Sequence, residues 1–255
     1  MLLQEFDKNN KAVLDPLELY KPIKNFPKIA VSCFSSATFN RMRSDLKADE
    51  IIAEISFANL KINVYKATYK NVSIALYTSY VGAAGCVSMT ENIFAFGAEK
   101  IVLFGNCGVL DKTIEDCGII IPTSALRDEG TSFHYASESN EIIVNPKYIE
   151  NFKQILSDAG INYRTGKTWT TDGFWRETRD KVQRRKEAGA ICVEMECSAM
   201  AALAQFRHKD IFQFFYAGDN LDAPKWEARS IDSATNLEVK DTVAKLALEL
   251  AADIA

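Results

Sequence analysis

Three acidic residues lie among segments that otherwise read as buried: Glu194 and Glu196 flank Met195, and Asp219 follows an apolar stretch. Ionised carboxylates are seldom fully buried without a partner, because their desolvation is costly. At the ends of strands such acids are well placed to bind a ligand or to transfer a proton. These residues carry the candidate chemistry that the rest of the chain must position.

Glu194 and Glu196 are two positions apart, so a strand that continued through them would direct them to opposite faces. One carboxylate could then enter a pocket and accept two hydrogen bonds from a vicinal diol such as ribose. The alternative is a capping acid, a task that Glu196 could perform for the helix that follows it.

Asp219 follows residues 214–218, Phe-Phe-Tyr-Ala-Gly. Burial against aromatic rings raises the pKa of a carboxyl and can keep it protonated, ready to act as a general acid. A turn or N-cap aspartate is the alternative, and Asp222 is a nearby exposed competitor.

Two further segments can line a pocket. Residues 105–108, Gly-Asn-Cys-Gly, predict a sharp turn at a strand end, and they match neither a dinucleotide fingerprint nor a P-loop. Phe174 or Trp175 could stack on a flat ligand, or both could be core aromatics. The polar loop 127–135 is open to interpretation as a structural loop or as a pocket wall.

Strand-like and helical runs alternate from residue 28 onwards, after a polar lead-in over residues 1–28. The predicted strands are 28–34, 61–69, 72–79, 101–104, 118–122, 163–170, 190–193 and 211–216, and the predicted helices are 36–57, 87–96, 146–158, 197–206 and 239–254. This alternation predicts one α/β domain over residues 1–255 with a largely parallel central sheet. Ligands of such sheets collect at the carboxyl ends of the strands.

Composition and charge restrict the classes of partner. Hydrophobic residues make up 47% and charged residues 25% of the chain, as in soluble globular proteins. A net charge of −4 disfavours nucleic acid and anionic membranes as partners. We find no apolar run long enough for a signal peptide or a membrane helix. Six cysteines without C-x-x-C spacing indicate buried thiols in a reducing cytoplasm, and two histidines exclude a His-rich metal site.

Taken together, these motifs resemble the nucleoside phosphorylase family, which includes purine nucleoside phosphorylase and uridine phosphorylase. The resemblance spans residues 28–254 and is most specific at residues 193–196, Val-Glu-Met-Glu, and at the Gly-x-Cys-Gly sequence of residues 105–108. It implies a three-layer α/β/α fold with a mixed, largely parallel sheet. It also implies cleavage of a nucleoside by phosphate to a free base and (deoxy)ribose 1-phosphate, as in nucleoside salvage. No metal or organic cofactor is implied, and the assembly would be a homo-oligomer, a dimer or hexamer.

The resemblance also implies the roles of individual residues. The ribose would contact Glu196, Met195, Glu194, Val81 and Gly82, and the base would contact Phe174, Cys107, Gly108 and Val193. Asp219 would protonate a departing purine at N7, help that typically contributes about 10²–10⁴-fold in rate.

Two features of the resemblance favour different substrates. Asp219 matches the purine-type general acid, whereas the pattern Arg127-x-x-Gly130-x-Ser132-x-His134 resembles a loop of uridine phosphorylases. Because a pyrimidine has no N7, a purine nucleoside is favoured and uridine stays an alternative.

The expected phosphate-binding residues are missing. Residues 32–36 read Ser-Cys-Phe-Ser-Ser where the family has a Gly-Asp-Pro-type loop with a following arginine. Residues 103–104 are Leu-Phe where the family has an arginine, and Asn106 replaces a serine or threonine.

Phosphate normally needs cationic or N–H partners. Besides Asn106, the substitutes are Arg41, Arg43, Arg127 or Arg176, which a neighbouring subunit could also supply. A nucleosidase that uses water and a non-catalytic nucleoside-binding protein therefore stay open as alternatives. The glutamate-rich loop that supplies the water-activating base in the related hydrolases is also absent at residues 33–36.

Overall fold

Strands and helices alternate along the chain in a computed structural model, which describes residues 2–9, 11–232 and 234–255. The strands are β1 (Ile29–Cys33), β2 (Ile51–Phe57), β3 (Leu60–Tyr69), β4 (Val72–Thr78), β5 (Lys100–Val109), β6 (Ile119–Asp128), β7 (Glu141–Ile143), β8 (Tyr163–Thr171), β9 (Ala190–Glu194) and β10 (Asp210–Asn220). The helices are α1 (Pro16–Leu19), α2 (Ser36–Asp45), α3 (Ala83–Phe96), α4 (Ile149–Asp158), α5 (Arg179–Glu187), α6 (Cys197–Arg207) and α7 (Leu237–Asp253).

The strands form one mixed sheet in the order β10-β6-β8-β9-β5-β1-β4-β3-β2, with β7 on the side of β6. Strand β10 also pairs with β5, in parallel, which closes β5, β10, β6, β8 and β9 into a ring. The strands β5, β9 and β10 therefore bring their carboxyl-end segments close together. The predicted α/β class with a mixed central sheet is confirmed.

Helices cover both faces of the sheet, because alternate residues of the central strands point to opposite sides. Ile29 and Val31 of β1 belong to a core cluster with residues of α2, α4 and α7. Ala30, between them, belongs to a second cluster with residues of α3 and α6. Burial of each large apolar side chain contributes about 1.5–3 kcal/mol, so both helical layers hold the sheet from which the site is built.

Two predicted elements are wrong. The helix predicted over residues 36–57 ends at Asp45, Lys47 adopts a left-handed φ of 51°, and Ile51–Phe57 form β2 against β3. The turn predicted at residues 105–108 is part of β5, which runs on to Val109 because both β9 and β10 pair with this segment.

The strands predicted at 61–69 and 72–79 are confirmed as β3 and β4, which form an antiparallel hairpin with Lys70 and Asn71 at positive φ in its turn. The predicted helices at 197–206 and 239–254 are confirmed as α6 and α7, with bounds that differ by a few residues. Within the described residues no helix is both long and apolar enough to cross a membrane.

Candidate active site

Glu196 lies where β9 passes into α6, and it connects two helix N-termini. Its Oε1 accepts a hydrogen bond of 2.6 Å from the backbone N–H of Gly82, the residue that precedes α3. Gly82 has a φ of 96°, a conformation that favours glycine, so this residue brings its N–H to the carboxylate at low cost. The structure thus joins the predicted ribose residues Gly82 and Glu196, which are 114 positions apart.

The Glu196 side chain is only 5% exposed. Burial, and then the charge of the neighbouring Glu194 carboxylate, raise its pKa to about 8, whereas the Gly82 N–H favours the ionised form. Val81 is exposed and Met195 half-buried, so the neighbours of Gly82 and Glu196 along the chain reach the surface. Glu196 is therefore a buried hydrogen-bond acceptor next to residues that solvent can reach.

Glu194 has a different set of partners. Its Oε2 accepts from the backbone N–H groups of Glu196 and Cys197, both at 2.7 Å, at the start of α6. Its Oε1 accepts from the hydroxyls of Thr170 at 2.6 Å and Thr168 at 3.3 Å. Glu194, rather than Glu196, is the acid that satisfies the helix N-terminus, so the structure does not offer Glu194 to a sugar.

Asp219 lies near the end of β10, where the register against β5 shifts between Ala217 and Asp219. The carboxyl is 8% exposed, and its Oδ2 accepts a hydrogen bond of 2.7 Å from the indole N–H of Trp226. Burial raises the pKa of Asp219, while the Trp226 bond and the positive charge of Arg229 oppose that rise. Asp219 is thus a partly desolvated acid with few donors, as a general acid requires.

Gly108, Val193 and Asp219 meet in one place. A Cβ atom on Gly108 would lie 3.1 Å from Oδ1 of Asp219, 3.2 Å from Cγ1 of Val193 and 2.5 Å from Cδ1 of Leu221. A side chain at position 108 would collide with these atoms, so this close approach requires glycine. Gly108 and Val193, predicted for the base, and Asp219, predicted as its proton donor, are therefore adjacent. Cys107 is turned inward: its buried thiol donates to the Tyr216 carbonyl at 3.7 Å.

Phe174 and Trp175 stand on a short 3₁₀ turn after β8, with ring centroids 4.6 Å apart and both rings substantially exposed. Glu177, at the end of that turn, was not predicted as a site residue. Burial, and then the charge of Asp219, raise its pKa to about 7, which places its carboxyl near the candidate general acid. The signal in the sequence was an acid directly after the exposed run Phe-Trp-Arg, beside the residues considered for stacking.

Three of the four candidate phosphate-binding arginines are engaged elsewhere. Arg41 pairs with Asp241 of α7, and Arg43 lies over the Tyr65 ring, 4.7 Å from its centroid. Arg127 donates to the Ser132 hydroxyl at 2.8 Å and to the carbonyls of Ser137 and Ala136. These bonds explain the polar loop 127–135 as one organised around a buried guanidinium.

Arg176 is exposed on the 3₁₀ turn beside Phe174 and Trp175. Asn106 is half-buried, and its side chain lies against Gly218, where a Cβ atom would be 3.0 Å from Nδ2. Arg176 is therefore close in the chain to Phe174, and Asn106 is close in space to Gly218, the residue before Asp219.

Phe34 occupies the space after β1. A Cβ atom on Gly105 would lie 2.7 Å from Cδ2 of Phe34, so the ring packs directly on the Gly105 backbone. An apolar ring therefore fills a position where the sequence resemblance predicts a polar phosphate loop.

No cluster of three or more His, Cys, Asp or Glu side chains suited to a metal ion occurs in residues 2–9, 11–232 and 234–255. All six cysteines are free and buried, in keeping with the interpretation of their spacing.

Curated relatives match parts of the chain. Guanosine phosphorylase of Halorubrum lacusprofundi is 22% identical over 191 residues, which cover 75% of this chain and 79% of that enzyme. The DeoD-type purine nucleoside phosphorylase of Bacillus cereus is 25% identical over 147 residues, which cover 55% of this chain and 60% of that enzyme. The chain thus spans less than two thirds of the Bacillus enzyme.

Solved structures share the fold over nearly the whole chain. Uridine phosphorylase of Vibrio fischeri superposes with a TM-score of 0.75 at 20% identity and covers 91% of this chain and 95% of its own. Purine nucleoside phosphorylase of Toxoplasma gondii, in complex with immucillin-H, gives 0.74 at 18% identity and covers 93% of both chains. The 5′-methylthioadenosine/S-adenosyl homocysteine nucleosidase of Campylobacter jejuni gives a TM-score of 0.72 at 20% identity and covers 88% of this chain and 98% of its own.

The model of the phosphorylase superfamily matches residues 28–255, nearly the same span as the resemblance over residues 28–254. The prediction of an enzyme of the nucleoside phosphorylase, pentosyltransferase class is thereby confirmed at the level of the family. The chain belongs to the phosphorylase superfamily.

Proposed function

We propose that this protein cleaves the N-glycosidic bond of a purine nucleoside with phosphate, giving the free base and (deoxy)ribose 1-phosphate. The observation that carries the proposal is that the site contains two buried carboxyl groups, each with different hydrogen-bond partners. Glu196 is bound to the Gly82 N–H, and Asp219 lies against Gly108 with its pKa raised by burial. The first suits a sugar diol and the second suits a leaving base.

The reaction follows from where charge develops. The bond between C1′ and N9 breaks, and its electron pair goes to the purine, while a phosphate oxygen forms the new bond to C1′. Asp219 gives its proton to N7, so the base leaves neutral and Asp219 is left ionised. Release of the remaining phosphate proton to Asp219 restores the acid. Guanosine phosphorylase and purine nucleoside phosphorylase among the relatives support a purine substrate.

The sugar side has the complementary task. A carboxylate at Glu196 accepts hydrogen bonds from the 2′- and 3′-hydroxyls, and Met195, Val81 and Gly82 line the ribose. Because burial raises the Glu196 pKa to about 8, sugar binding that needs the ionised form strengthens as pH rises towards that value. Phe174, Cys107, Gly108 and Val193 are proposed for the base side.

Hydrolysis is a second candidate, favoured by specific observations. Phe34 packs on Gly105, and Arg41 and Arg127 are bonded within the chain. Phosphate would rest on Arg176, Asn106 and groups of a neighbouring subunit. If none of these binds phosphate, water becomes the nucleophile in the same pocket.

The test is incubation with guanosine, inosine, adenosine and uridine, each with and without phosphate, with chromatography of base and sugar products. Phosphate-dependent release of purine base and pentose 1-phosphate is expected. Release that ignores phosphate would establish hydrolysis instead, and cleavage of uridine alone would overturn the purine assignment.

Asp219→Asn tests the general acid. Asp222→Asn is the matched control, because Asp222 is a neighbouring aspartate, half-buried and not exposed as predicted, whose carboxylate is paired with Lys186 and the Lys112 N–H instead. We expect the first change to slow purine release about 10²–10⁴-fold and the second to leave it unchanged. Equal activity of both variants would remove Asp219 from the mechanism.

The proposal also covers the setting of the enzyme. We expect a single domain over residues 1–255, a reducing cytoplasmic location, no metal or organic cofactor, and a homo-oligomer. Light scattering of the purified protein measures the last point, and a monomeric mass would contradict it.

A further inference from the structure

We propose that Trp226 is a positioning residue, whose indole N–H holds the Asp219 carboxyl so that Oδ1 is the oxygen that gives its proton to the leaving base. This inference rests on the proposed function, since it assigns the proton-donating atom of that site. The proton passes from Oδ1 to the purine as the bond from C1′ to the base breaks and the base takes its electron pair.

The geometry separates the two oxygens of Asp219. Oδ2 accepts the indole N–H at 2.7 Å, whereas Oδ1 lies on the side of Gly108. A protonated carboxyl has one oxygen that accepts and one that donates. Because Trp226 can only donate, its bond selects Oδ2 as the acceptor and leaves the proton on Oδ1, towards the predicted base site.

Trp226 is held by its loop and not by burial, since its side chain is 58% exposed. The loop itself is fixed at both ends. Asn220 and Glu227 exchange backbone hydrogen bonds of 2.9 and 3.2 Å, and Nδ2 of Asn220 donates to Oε2 of Glu227 at 2.7 Å.

Arg179, the first residue of α5, fixes the middle of the same loop. It donates to the carbonyls of Leu221 at 2.9 Å, Ala223 at 2.7 Å and Pro224 at 2.9 Å. Arg179 follows the 3₁₀ turn of Phe174 and Glu177 by two residues, so this clamp ties the Trp226 loop to the aromatic turn. An exposed indole fixed in this way contributes little apolar burial, and its defined contact is the one with Asp219.

Other charged groups also face Asp219, and the experiment must account for them. Arg229 stabilises the ionised form, and the Glu177 carboxyl is close enough to Asp219 for their charges to interact. Neither group is altered by a substitution at Trp226. A change confined to Trp226 therefore isolates the indole N–H.

The decisive variant is Trp226→Phe, which keeps an aromatic ring and removes the donor. Steady-state kinetics over pH are measured with guanosine and with 7-methylguanosine, whose N7-alkylated base departs without protonation. We expect kcat for guanosine to fall about 10–100-fold with little change in KM, as for loss of one hydrogen bond to an ionisable group. Turnover of 7-methylguanosine should stay at the level of the unaltered protein.

The pH profile gives a second signature with a defined sign. The Trp226 bond lowers the Asp219 pKa, so its loss raises that pKa, and the decline of guanosine turnover at high pH moves to higher pH. An NMR titration of ¹³C-labelled aspartate follows the same shift in the absence of any substrate. Lys225→Ala, an exposed neighbour in the same loop, is the control and should change none of these readouts.

Two results would overturn the inference: an unshifted Asp219 pKa in Trp226→Phe, or an equal loss with guanosine and 7-methylguanosine, which would indicate general damage to the pocket. A thermal melt of each variant identifies loss of folding. A second variant, Trp226→His, can restore a ring N–H donor. Its titration should show an Asp219 pKa closer to that of the unaltered protein than the pKa in Trp226→Phe. Unchanged guanosine turnover in Asp219→Asn would instead overturn the proposed function.

Discussion

The carboxyl ends of β9 and β10 each carry an acidic residue, yet the chain treats the acids differently. At the end of β9, Glu194 accepts four hydrogen bonds from the chain itself, two of them from the N-terminus of α6. Near the end of β10, Asp219 accepts one side-chain hydrogen bond, from an exposed indole. A carboxylate with all its acceptor positions filled is a part of the framework. A buried carboxyl with few donors is available to a ligand.

Glu196 lies between these extremes, and it shows that proximity in sequence does not predict role. Glu196 is two residues from Glu194, and its carboxylate accepts a hydrogen bond from the backbone N–H of Gly82 at the start of α3. Its remaining acceptor positions are placed for a donor from a ligand. The number of internal donors, and not the depth of burial, separates the structural acid from the functional ones.

The largest expected effect is loss of stability in Glu194→Ala. Removal of the carboxylate leaves two backbone N–H groups and two threonine hydroxyls without their acceptor in a buried place. We expect a loss of about 3–5 kcal/mol in the free energy of unfolding, or about 6–20 °C in Tm. Glu187→Ala, on the exposed face of α5, is the control and should stay within about 0.5 kcal/mol. A melting curve for Glu194→Ala equal to that of the control would contradict the division between framework and functional acids.

Glu196→Ala should reverse this outcome, with a large loss of activity and a small loss of stability. Removal of the sugar acceptor is expected to lower kcat/KM for a purine nucleoside about 100-fold, equivalent to about 2.7 kcal/mol. Because this change takes an acceptor from the Gly82 N–H but leaves the four donors to Glu194 bonded, Tm should fall far less than in Glu194→Ala. Unchanged kcat and KM would remove Glu196 from the site.

The smallest expected effect concerns Glu177, and it depends on pH. Burial and the charge of Asp219 raise the Glu177 pKa from the ordinary 4.5 to about 7. The folded protein therefore holds a proton that the unfolded chain has lost, and its stability falls as pH rises from about 4.5 to about 7. Glu177→Gln cannot ionise, so we expect it to raise Tm by about 2–4 °C at pH 8 and by almost nothing at pH 4.5. A pH-independent difference between the two melting curves would show that Glu177 is an ordinary surface acid.

The sequence was sufficient for the layered architecture, because the strand runs that build the ring are apolar and their ends are marked by polar residues. The family resemblance grouped Glu196 with Gly82 and Asp219 with Gly108, and these are residues that only folding brings together. The helix predicted at 36–57 failed because β2 owes its strand conformation to pairing with β3, a contact that local periodicity does not encode.

The tasks of individual polar groups were less accessible to prediction. Glu194 and Glu196 have the same chemistry in one motif, yet the hydroxyls of Thr168 and Thr170 on β8 both bind Glu194, a contact that the sequence does not show. Arg127 illustrates the same limit, because its carbonyl partners come from a loop whose path the sequence leaves open. Glu177 acquires its raised pKa from a residue 42 positions away and from burial, neither of which can be counted along the chain.

The pairing of β10 with β5 has a consequence for how activity is gained during folding. Asp210–Asn220 align with Lys100–Val109, so the candidate acid is placed by contacts between segments about 110 residues apart. Long-range pairings of this kind form slowly, since the intervening chain must be ordered first. In a refolding experiment, catalytic competence should therefore return with the closure of the strand ring and not with the earlier formation of helices, which makes activity itself a reporter of the last long-range contacts.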